Sequence, residues 1–507
     1  MGLFNRRKDS RAQSQDSEHG KPAYSPNGRH TLSTDRISEY SLKSPSLATT
    51  SSFRSNMVTS IPEIDIPKPP DRDAKPAQYL RSIYAVRERS TIVLHQAKAD
   101  KLNHFDVDMS KFKDTADYVV SIIKRDFAPD YSTIPPHGRW QHFEVGGRPR
   151  ITQLLQSWPS TLDSTERTRR LIDLFLVSVL LDAGAGTKWS YTSKENGKTY
   201  PRSEGLAVAS LEMFKIGMFS SDSSNPHQCD APALEKLTAD QLGKGMQVSE
   251  SNPMSGLGGR AALLARLGGA LRSRKDMFGK NARPGNMIDY LISHPDTVAA
   301  AVPVVPLPVL WEVLMDGMSS IWPATRTNIE GVSLGDAWPC SSIPDTGSLK
   351  NIVPFHKLTQ WLCYSIMVPM TKLLNMQFAG AELMTGLPEY RNGGLLVDTG
   401  LLTLKKADTD RGLKIYHETM PNASVEVVPM FEPSDDVVVE WRAVTVGLLD
   451  ELLAAVNQGL NLTGNDKLSL AQMLEAGTWK GGREIAQVSR PITKGPPIGI
   501  ISDGTIF

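Results

Sequence analysis

A short segment of the chain places three side chains that can do chemistry next to one another. Residues 385–400 read TGLPEYRNGGLLVDTG, in which a carboxylate (Glu389), a phenol (Tyr390) and a guanidinium (Arg391) lie between a proline and a pair of glycines. One interpretation is a solvated surface turn, because proline and glycine are common in connections. The other is a ligand site, in which glycine lets the backbone approach a ligand closely and the carboxylate after the proline is the reacting group.

Two more candidates follow a strongly apolar run, LFLVSVLLD. Asp182 ends that run at the C-terminal end of a predicted helix, where the helix macrodipole disfavours an anion. Its carboxylate therefore needs a partner, which is either a substrate group, a structural arginine or a neighbouring helix end. Trp189 comes after the small residues AGAGT and is expected to form a pocket wall or a tight helix exit.

A second polar pattern lies in PFHKLTQWLCYS. His356, Gln360 and Tyr364 are spaced at i, i+4 and i+8, so they share one stripe of a helix. Trp361 and its apolar neighbours occupy much of the remaining circumference, which favours a stripe that hydrogen-bonds a polar ligand over one that faces solvent. Lys357 either meets a phosphate as a point charge or stays in solvent.

A third pattern interrupts the apolar segment VVVEWRAVTVGLLDEL with Glu440, Arg442 and Asp450. Buried charges are costly unless they are paired. Arg442 and Asp450 are two turns apart, too far for an i, i+4 pair, so we expect each to meet a group from elsewhere in the fold. Structural pairing is the first interpretation, and substrate binding by Glu440 and Arg442 is the alternative.

The familiar catalytic signatures are missing from the sequence. It has no Walker GxxxxGK[ST], no strand-linked GxGxxG, no HExxH and no GxSxG. The closest pair among the ten histidines, His137 and His142, has no cysteine or third ligand nearby. We therefore expect neither a metal site nor a cofactor.

Composition narrows the class of partner. The chain of 507 residues carries 56 basic and 55 acidic side chains, a balance that favours neither nucleic acid nor an anionic membrane, so we expect a small-molecule substrate. No run of about 18 apolar residues is present to span a membrane. Three separate cysteines fit a reducing compartment, which predicts a cytoplasmic protein with the nucleus as the alternative. The sequence leaves the oligomeric state open.

Apolar periodicity divides the chain into a tail and a body. Residues 1–72 are rich in Ser, Arg, Asp and Pro and predict a disordered tail, whereas 76–507 predict one large, mainly α catalytic domain with a small β insert. A division in the proline-rich stretch near 295–310 is the alternative. The apolar C-terminus, KGPPIGIISDGTIF, should dock onto the body. Helices are predicted over 163–184, for a turn or two from 293, over 354–368 up to a stop or kink at Pro369, and over 437–459, and short strands over 394–404 and 423–431.

Eight blocks of the body, taken together, resemble the fungal and bacterial uracil catabolism protein 4 family, a domain of unknown function. The blocks are LLDAGAGTKWSY, RSEGLAVASLEMF, NPMSGLGGRAALLARLG, VPFHKLTQWLCYS, LTGLPEYRNGGLLVDTG, VVVEWRAVTVGLLDEL, AGTWKGGRE and SDGTIF. The resemblance covers about residues 76–507. It implies a step in a uracil degradation pathway that runs through ribosylurea, namely cleavage of that intermediate or its 5-phosphate to urea and the sugar.

A more distant similarity links LLDAG, the HKxxQ helix and PEYRNGGLLVDTGLL to the queuosine 5-phosphate N-glycosidases. That similarity implies a helical domain akin to the helix-hairpin-helix DNA glycosylases. Glu389 stands where those enzymes have an aspartate, while Tyr390 and Arg391 match directly. From the chemistry of these side chains, we expect Glu389 to be the catalytic carboxylate and Asp182 to orient sugar hydroxyls or urea nitrogens. We expect His356, Lys357 and Arg391 to hold a phosphate, Gln360 to bind the urea group, and Trp361 or Trp189 to form the pocket wall.

Two other functions remain open at this stage. An amidohydrolase would attack the urea carbonyl and release ammonia, but it would prefer a metal cluster or an activated Ser or Cys. A non-catalytic binder or regulator that senses a uracil metabolite would explain a polar pocket equally well.

Overall fold

The computed structural model describes residues 64–186, 188–345, 347–421 and 425–501. Most of the predicted tail, residues 1–63, lies outside the described residues, and 64–72 contain neither helix nor strand. The prediction of a disordered tail therefore stays a prediction.

Helices dominate the described residues, as the sequence predicts. The α-helices are Pro76–Arg81 (α1), Ile83–Lys98 (α2), Phe112–Phe127 (α3), Arg139–Phe143 (α4), Arg150–Ser157 (α5), Ser164–Leu180 (α6), Arg202–Lys215 (α7), Ala231–Lys236 (α8), Ala239–Gly245 (α9), Leu257–Ser273 (α10), Lys275–Phe278 (α11), Met287–Ser293 (α12), Leu307–Gly317 (α13), Lys357–Leu374 (α14), Tyr390–Asp398 (α15), Lys406–Thr419 (α16), Asp436–Gly459 (α17), Leu470–Met473 (α18) and Trp479–Ser489 (α19). A π-helical turn, Leu474–Thr478, joins α18 to α19. Shorter 3-10 turns cover Met109–Lys111, Tyr131–Thr133, Pro284–Asn286, Ser319–Ile321, Ala381–Leu383 and Gly464–Asp466.

The strands are short and paired two by two. They are Phe105–Val107 (β1), Ser190–Thr192 (β2), Thr199–Pro201 (β3), Val304–Pro306 (β4), Asn328–Ile329 (β5), Val332–Ser333 (β6), Ala337–Pro339 (β7), Ile352–Pro354 (β8), Gln377–Ala379 (β9), Leu402–Leu404 (β10), Met430–Phe431 (β11) and Gly499–Ile500 (β12). The pairs β1–β10, β2–β3, β5–β6 and β7–β8 are antiparallel, and β4–β9 and β11–β12 are parallel. We predicted one small β insert. The strands form separate pairs instead, and several pairs join segments that are far apart in the chain.

The central helices of the body are α6, α14 and α17. The second half of α6 and most of α14 and α17 are buried, and one hydrophobic core extends through them from Ile83 to Ile498. The predicted start of α6 is confirmed, since the Asp163 carboxylate accepts a hydrogen bond from the Glu166 amide at 2.7 Å. Helix α14 packs along α6, and α17 packs along α2 and α3. These contacts fix the two helix ends, those of α6 and α14, that carry the candidate site.

Three local predictions were wrong. The chain after Ser293 turns instead of forming a helix, because the Thr297 hydroxyl folds back onto the Leu291 carbonyl at 2.7 Å. Helix α14 continues through Pro369 to Leu374, so of the stop or kink predicted at Pro369 the stop is wrong. In the strand predicted over 394–404, the first half belongs to helix α15 and only β10 is strand. In the strand predicted over 423–431, only β11 forms, and residues 422–424 lie outside the described residues.

The C-terminal segment docks onto the body, as predicted, for the part that the structure describes. Ile498 is fully buried, and Ile500 pairs with Phe431 in the β11–β12 ladder. The last six residues, 502–507, lie outside the described residues. Nearer the middle of the chain, β4 in the proline-rich stretch pairs with β9. The division near 295–310 and the single-domain assignment stay predictions.

Candidate active site

Glu389 occupies the N-cap position of α15, which is unusual for a glutamate. Its Oε1 accepts hydrogen bonds from the backbone amides of Arg391 and Asn392, each at 3.1 Å. Within the described residues its second oxygen, Oε2, has no hydrogen-bond partner. The helix N-terminus therefore holds the side chain in place through one oxygen and favours its negative charge, while the other oxygen stays free to act.

The charges around Glu389 tune its protonation. Burial raises the pKa of Glu389 above its ordinary value, and the charges of Lys357, Arg391 and His137 partly offset that rise. The pKa of Lys357 is lowered by burial, whereas the negative charges of Glu389 and Asp182 oppose that lowering. Among the described residues nothing forms an ion pair or hydrogen bond with the Lys357 ammonium. Lys357 is therefore close enough to both predicted catalytic carboxylates for their charges to affect its pKa, and its ammonium remains free to contact a ligand.

Asp336 anchors the start of the helix that carries Lys357. Its Oδ2 accepts from the Lys357 amide at 3.0 Å, and its backbone carbonyl accepts from the amides of Phe355 and His356 at 2.9 and 3.1 Å. The Arg442 guanidinium bonds both carboxylate oxygens, at 2.9 and 2.8 Å. Although burial alone would raise the pKa of Asp336, Arg442 and the hydrogen bonds hold it well below its ordinary range.

Asp182 meets a buried arginine at the end of α6, one of the partners that we expected for it. Its Oδ1 lies 2.9 Å from Nη1 of Arg139, at ion-pair distance. The contact lacks hydrogen-bond geometry, however, so Oδ1 keeps its lone pairs unused among the described residues. The Arg139 side chain is fully buried, and its Nε donates to Ser178 at 2.8 Å. Arg139 thus neutralises Asp182 without saturating it.

An aromatic group surrounds the far side of Arg139. Its Nη1 donates to Nδ1 of His142 at 3.1 Å, and the His142 ring lies 5.5 Å from both Trp361 and Trp479. His137 stacks obliquely on Trp361 at 4.6 Å, and its Nδ1 is 2.6 Å from Glu475. Both Trp361 Nε1 and His142 Nε2 are buried without a hydrogen-bond partner in the described part of the chain. Trp361 is therefore buried in an aromatic group with its Nε1 unused, and its role as a pocket wall stays a prediction.

Three arginines lie together at the other end of the group. Arg202 and Arg391 both donate to the Lys494 carbonyl, at 2.8 and 3.3 Å. Burial lowers the pKa of Arg202, and the positive charges of Arg391 and Arg483 lower it further. Arg483 forms an ion pair with Glu204.

A tyrosine and two helix N-termini lie beside these arginines. The Arg391 guanidinium lies 4.9 Å from the Tyr390 ring, a cation–π contact. Helices α7 and α15 both begin here, so their N-terminal dipoles add to the guanidinium charges. Three guanidiniums with one carboxylate leave a net positive charge.

The polar stripe on α14 binds the protein's own chain. Gln360 Nε2 donates to the Thr385 hydroxyl at 2.8 Å, and the Tyr364 hydroxyl donates to the Thr385 carbonyl at 3.0 Å. These contacts hold the segment that leads to Glu389. Gln360 Oε1 also faces the Thr385 amide at 3.4 Å, so Thr385 engages both ends of the Gln360 amide. The predicted contact of Gln360 with a urea group stays a prediction.

The His356 ring is bound to a backbone carbonyl of α1. Its Nε2 donates to the Leu80 carbonyl at 2.8 Å, and burial lowers its pKa to about 4. A neutral imidazole tied to a carbonyl is a poor phosphate ligand, so the structure gives no support to the phosphate role predicted for His356.

Trp189 and Glu440 also have structural partners. Trp189 is buried, and its Nε1 donates to the Met246 carbonyl at 2.9 Å. Glu440 accepts from the amides of Asn103, His104 and Phe105 at 2.8, 2.8 and 3.1 Å. Both side chains are saturated within the core, so the candidate site excludes them.

Arg442 lies beside Glu389 but is committed to Asp336. Glu389 and Arg442 both line a small cleft, together with Tyr390, Trp441 and Ile500. Arg442 Nε also faces the Pro388 carbonyl at 3.4 Å. Arg442 therefore positions the Glu389 loop, and the predicted pairing with a group from elsewhere in the fold is confirmed.

The glycine pair after Arg391 serves helix packing. A Cβ on Gly393 would lie 2.8 Å from the Trp441 ring, and one on Gly394 would lie 3.0 Å from Pro497. The Trp441 indole also donates to the Gly393 carbonyl at 3.1 Å. The two glycines were expected to let the backbone approach a ligand, but the groups that approach them closely are α17 and the C-terminal segment.

The structure brings Glu389, Asp182, Lys357, Trp361 and Arg391 into one group. The sequence analysis did not name several other members of this group as site residues, although two of the sequence blocks, RSEG and AGTWKGGRE, contain some of them. The missed residues are His137, Arg139, His142, Arg202, Asp336, Trp479 and Arg483.

Among the residues that the structure describes, no three His, Cys, Asp or Glu side chains are arranged to hold a metal ion, and no helix combines the length and apolarity needed to cross a membrane.

Comparison with known proteins gives the family. Residues 79–507 match the family described as "Protein of unknown function (DUF1688)", and the chain belongs to that family. It is 46% identical over 441 residues to "Uracil catabolism protein 4" of Lachancea kluyveri, an alignment that covers 85% of this chain and 99% of the relative. It is also 47% identical over 429 residues to "Protein urg3" of Schizosaccharomyces pombe, covering 84% and 98%.

Proposed function

We propose that this protein acts in uracil catabolism as an N-glycosidase that hydrolyses ribosylurea or its 5-phosphate to urea and the sugar. The relative named for uracil catabolism supports the pathway. The observation that carries the reaction type is Glu389, a half-buried carboxylate that α15 holds by one oxygen and leaves free at the other.

Cleavage of an N-glycosidic bond passes through an oxocarbenium-like state. A carboxylate near the anomeric carbon stabilises that cation and takes a proton from the attacking water. The C–N electron pair leaves with the ureido nitrogen, the water hydroxyl joins the anomeric carbon, and one proton from water ends on the urea. Glu389 fits this role when ionised, and Lys357 keeps more of it ionised.

Asp182 would bind neutral donors of the substrate. Its Oδ1 has unused lone pairs, and both sugar hydroxyls and urea N–H groups are donors that suit it. Arg139 offsets its charge, so a neutral substrate can approach without an uncompensated anion remaining buried.

Arg391 would hold the sugar phosphate when one is present. Arg202 and Arg483 lie beside it, and guanidinium groups match the geometry of phosphate oxygens. Lys357 would bind either the same phosphate or the sugar ring. The fold type, which we expect to be akin to the helix-hairpin-helix glycosylases, and the cytoplasmic or nuclear location also belong to this proposal.

A cysteine-dependent amidohydrolase is less well supported than the N-glycosidase. All three cysteines are buried, and burial raises the pKa of each thiol, that of Cys340 to about 12. Such thiols stay protonated at neutral pH and are weak nucleophiles.

Identifying the product tests the proposal. The purified protein is incubated with ribosylurea and with its 5-phosphate, and urea and ammonia are measured separately. Urea with the free sugar is the expected result. Ammonia would indicate the amidohydrolase instead, and thermal stabilisation by either compound with no product would indicate a metabolite sensor.

A further inference from the structure

Two buried polar atoms, Trp361 Nε1 and His142 Nε2, lack a hydrogen-bond partner in the described residues, and a third, Asp182 Oδ1, has only its ion-pair contact with Arg139. Buried polar groups are nearly always hydrogen-bonded, because leaving one unpaired costs free energy. The three side chains are neighbours, since Arg139 contacts both Asp182 and His142, and the His142 ring lies 5.5 Å from Trp361. Such a group of unused atoms indicates a bound polar ligand.

The hydrogen-bonding character of each atom is fixed by its surroundings. An indole Nε1 only donates, and a carboxylate oxygen only accepts. The guanidinium of Arg139 only donates, so Nδ1 of His142 must be the acceptor at 3.1 Å. Burial, together with the charge of Arg139, keeps the pKa of His142 well below its ordinary value, so the ring is neutral. Its one proton therefore lies on Nε2, which makes Nε2 a donor.

We propose that these three atoms form the binding site for the ureido group of the substrate. The ureido carbonyl oxygen accepts hydrogen bonds from Trp361 and His142, and a ureido N–H donates to Asp182. Two donors and one acceptor match one carbonyl and an adjacent N–H. A sugar hydroxyl offers the same number of donors and acceptors, so binding of ribose is the comparison that separates the two ligand groups. The inference rests on the proposed function, because that function makes the ureido group the leaving group.

The same contacts would assist bond cleavage. As the C–N bond breaks, its electron pair moves onto the ureido nitrogen and is shared with the carbonyl oxygen. Two N–H donors already aimed at that oxygen stabilise the growing negative charge in a site from which water is excluded. Trp361 and His142 thus act on the leaving group, and Glu389 acts on the anomeric carbon.

Binding to a variant that cannot turn over tests the site without relying on activity. In the Glu389→Gln background, affinity for ribosylurea and for its 5-phosphate is measured by calorimetry, with and without Trp361→Phe. Phenylalanine keeps the ring but removes the donor, so we expect affinity for the ureido compounds to fall about tenfold. Binding of ribose and ribose 5-phosphate, which lack the ureido group, should not change.

Trp189→Phe is the matched control. Its indole already donates to the Met246 carbonyl in the core, so this change should lower Tm and leave the affinity for ribosylurea unaltered. Trp361→Phe should leave Tm unaltered, because no hydrogen bond within the protein is lost, and should lower the affinity for ribosylurea. Equal affinity of the Trp361→Phe and parent proteins for ribosylurea would overturn the ureido site, even if urea release is observed. Selective loss of affinity would support it, even if no hydrolysis occurs.

A second readout covers the case in which Trp361→Phe does not fold. In the 15N-tryptophan-labelled Glu389→Gln protein, an indole N–H resonance should move downfield on addition of ribosylurea and not on addition of ribose. The absence of such a shift at saturating ribosylurea would overturn the proposal.

Discussion

Arg442 on α17 and Asp336 form a buried two-point ion pair, with Nη1–Oδ1 and Nη2–Oδ2 distances of 2.9 and 2.8 Å. The pair links three parts of the site, because Asp336 also bonds the Lys357 amide and Arg442 faces the Pro388 carbonyl. Its geometry therefore sets where Lys357 and Glu389 lie relative to each other.

Breaking this pair should destabilise the protein strongly. Asp336→Asn leaves the Arg442 charge buried and unpaired, so the free energy of unfolding should fall by about 3–5 kcal/mol. Denaturation by guanidinium chloride, followed by circular dichroism, measures the change. Asp410→Asn breaks an exposed pair with Lys406 and should cost less than about 1 kcal/mol. Similar losses in the two variants would contradict the anchoring role of Asp336.

Close packing of α19 on α15 depends on one glycine. A Cβ on Gly482 would lie 2.1 Å from the Arg391 carbonyl oxygen, so Gly482→Ala must push the helices apart and displace Arg391. We expect a loss of about 1–3 kcal/mol and a lower Tm. A Cβ on Gly269 of α10 would have nothing within 4 Å, and Gly269→Ala should leave Tm unchanged or raise it. A Gly482→Ala protein as stable as Gly269→Ala would refute the packing argument.

Lys357 should set the acid limb of the pH profile. Glu389 acts as a carboxylate, and burial raises its pKa while Lys357 gives the largest opposing effect. The acid limb of kcat/KM should therefore lie above pH 4.5 in the wild type and move to still higher pH in Lys357→Met. The exposed Lys406→Met is the control. An unmoved acid limb in Lys357→Met would show that another group titrates.

His104 should make stability depend on pH at the alkaline side. Its nitrogens lie 2.9 Å from Asp436 and from Asp408; the bond to Asp436 raises the pKa of His104 most, burial opposes it, and the result is about 9. A raised folded-state pKa gives stability that is complete below pH 6.5 and is lost as pH rises through about 9. His104→Gln should remove this loss, which we place on the order of 1 kcal/mol given partial exposure. Denaturation curves at pH 6 and pH 9.5 for both proteins measure it, and an equal pH dependence in both would contradict the assignment.

The long buried helices were predictable because burial leaves a direct trace in the sequence. Apolar residues on all sides of α6 and α17 indicate central helices, and charges within them indicate partners elsewhere. The structure supplies those partners: Glu440 bonds three backbone amides, Arg442 meets Asp336, and Asp450 meets Arg87 at 2.8 Å.

The identity of the partners was not predictable, because they lie far away in the chain. Asp336 is 106 residues from Arg442, and nothing local marks it as the anchor of α14. The sequence analysis considered His142 only as a metal ligand together with His137. That its Nε2 is a hydrogen-bond donor depends on Arg139 and on burial, which the sequence does not show. Glu389, Asp182 and Arg391 were predicted from local chemistry and resemblance. The polar stripe of α14 was expected to bind a ligand, whereas Gln360 and Tyr364 bond Thr385 of the same chain and His356 bonds the Leu80 carbonyl.

Urea release by the wild type and by Glu389→Gln, from ribosylurea and from its 5-phosphate, tests the central claim most directly. Glutamine keeps a carbonyl oxygen that can accept the cap hydrogen bonds from Arg391 and Asn392, so the fold should survive, as circular dichroism and Tm will verify. We expect urea from at least one compound and a loss of at least about 10²-fold in kcat/KM in the variant. Wild-type turnover by a folded Glu389→Gln protein, or no urea from either compound with the wild type, would contradict the account.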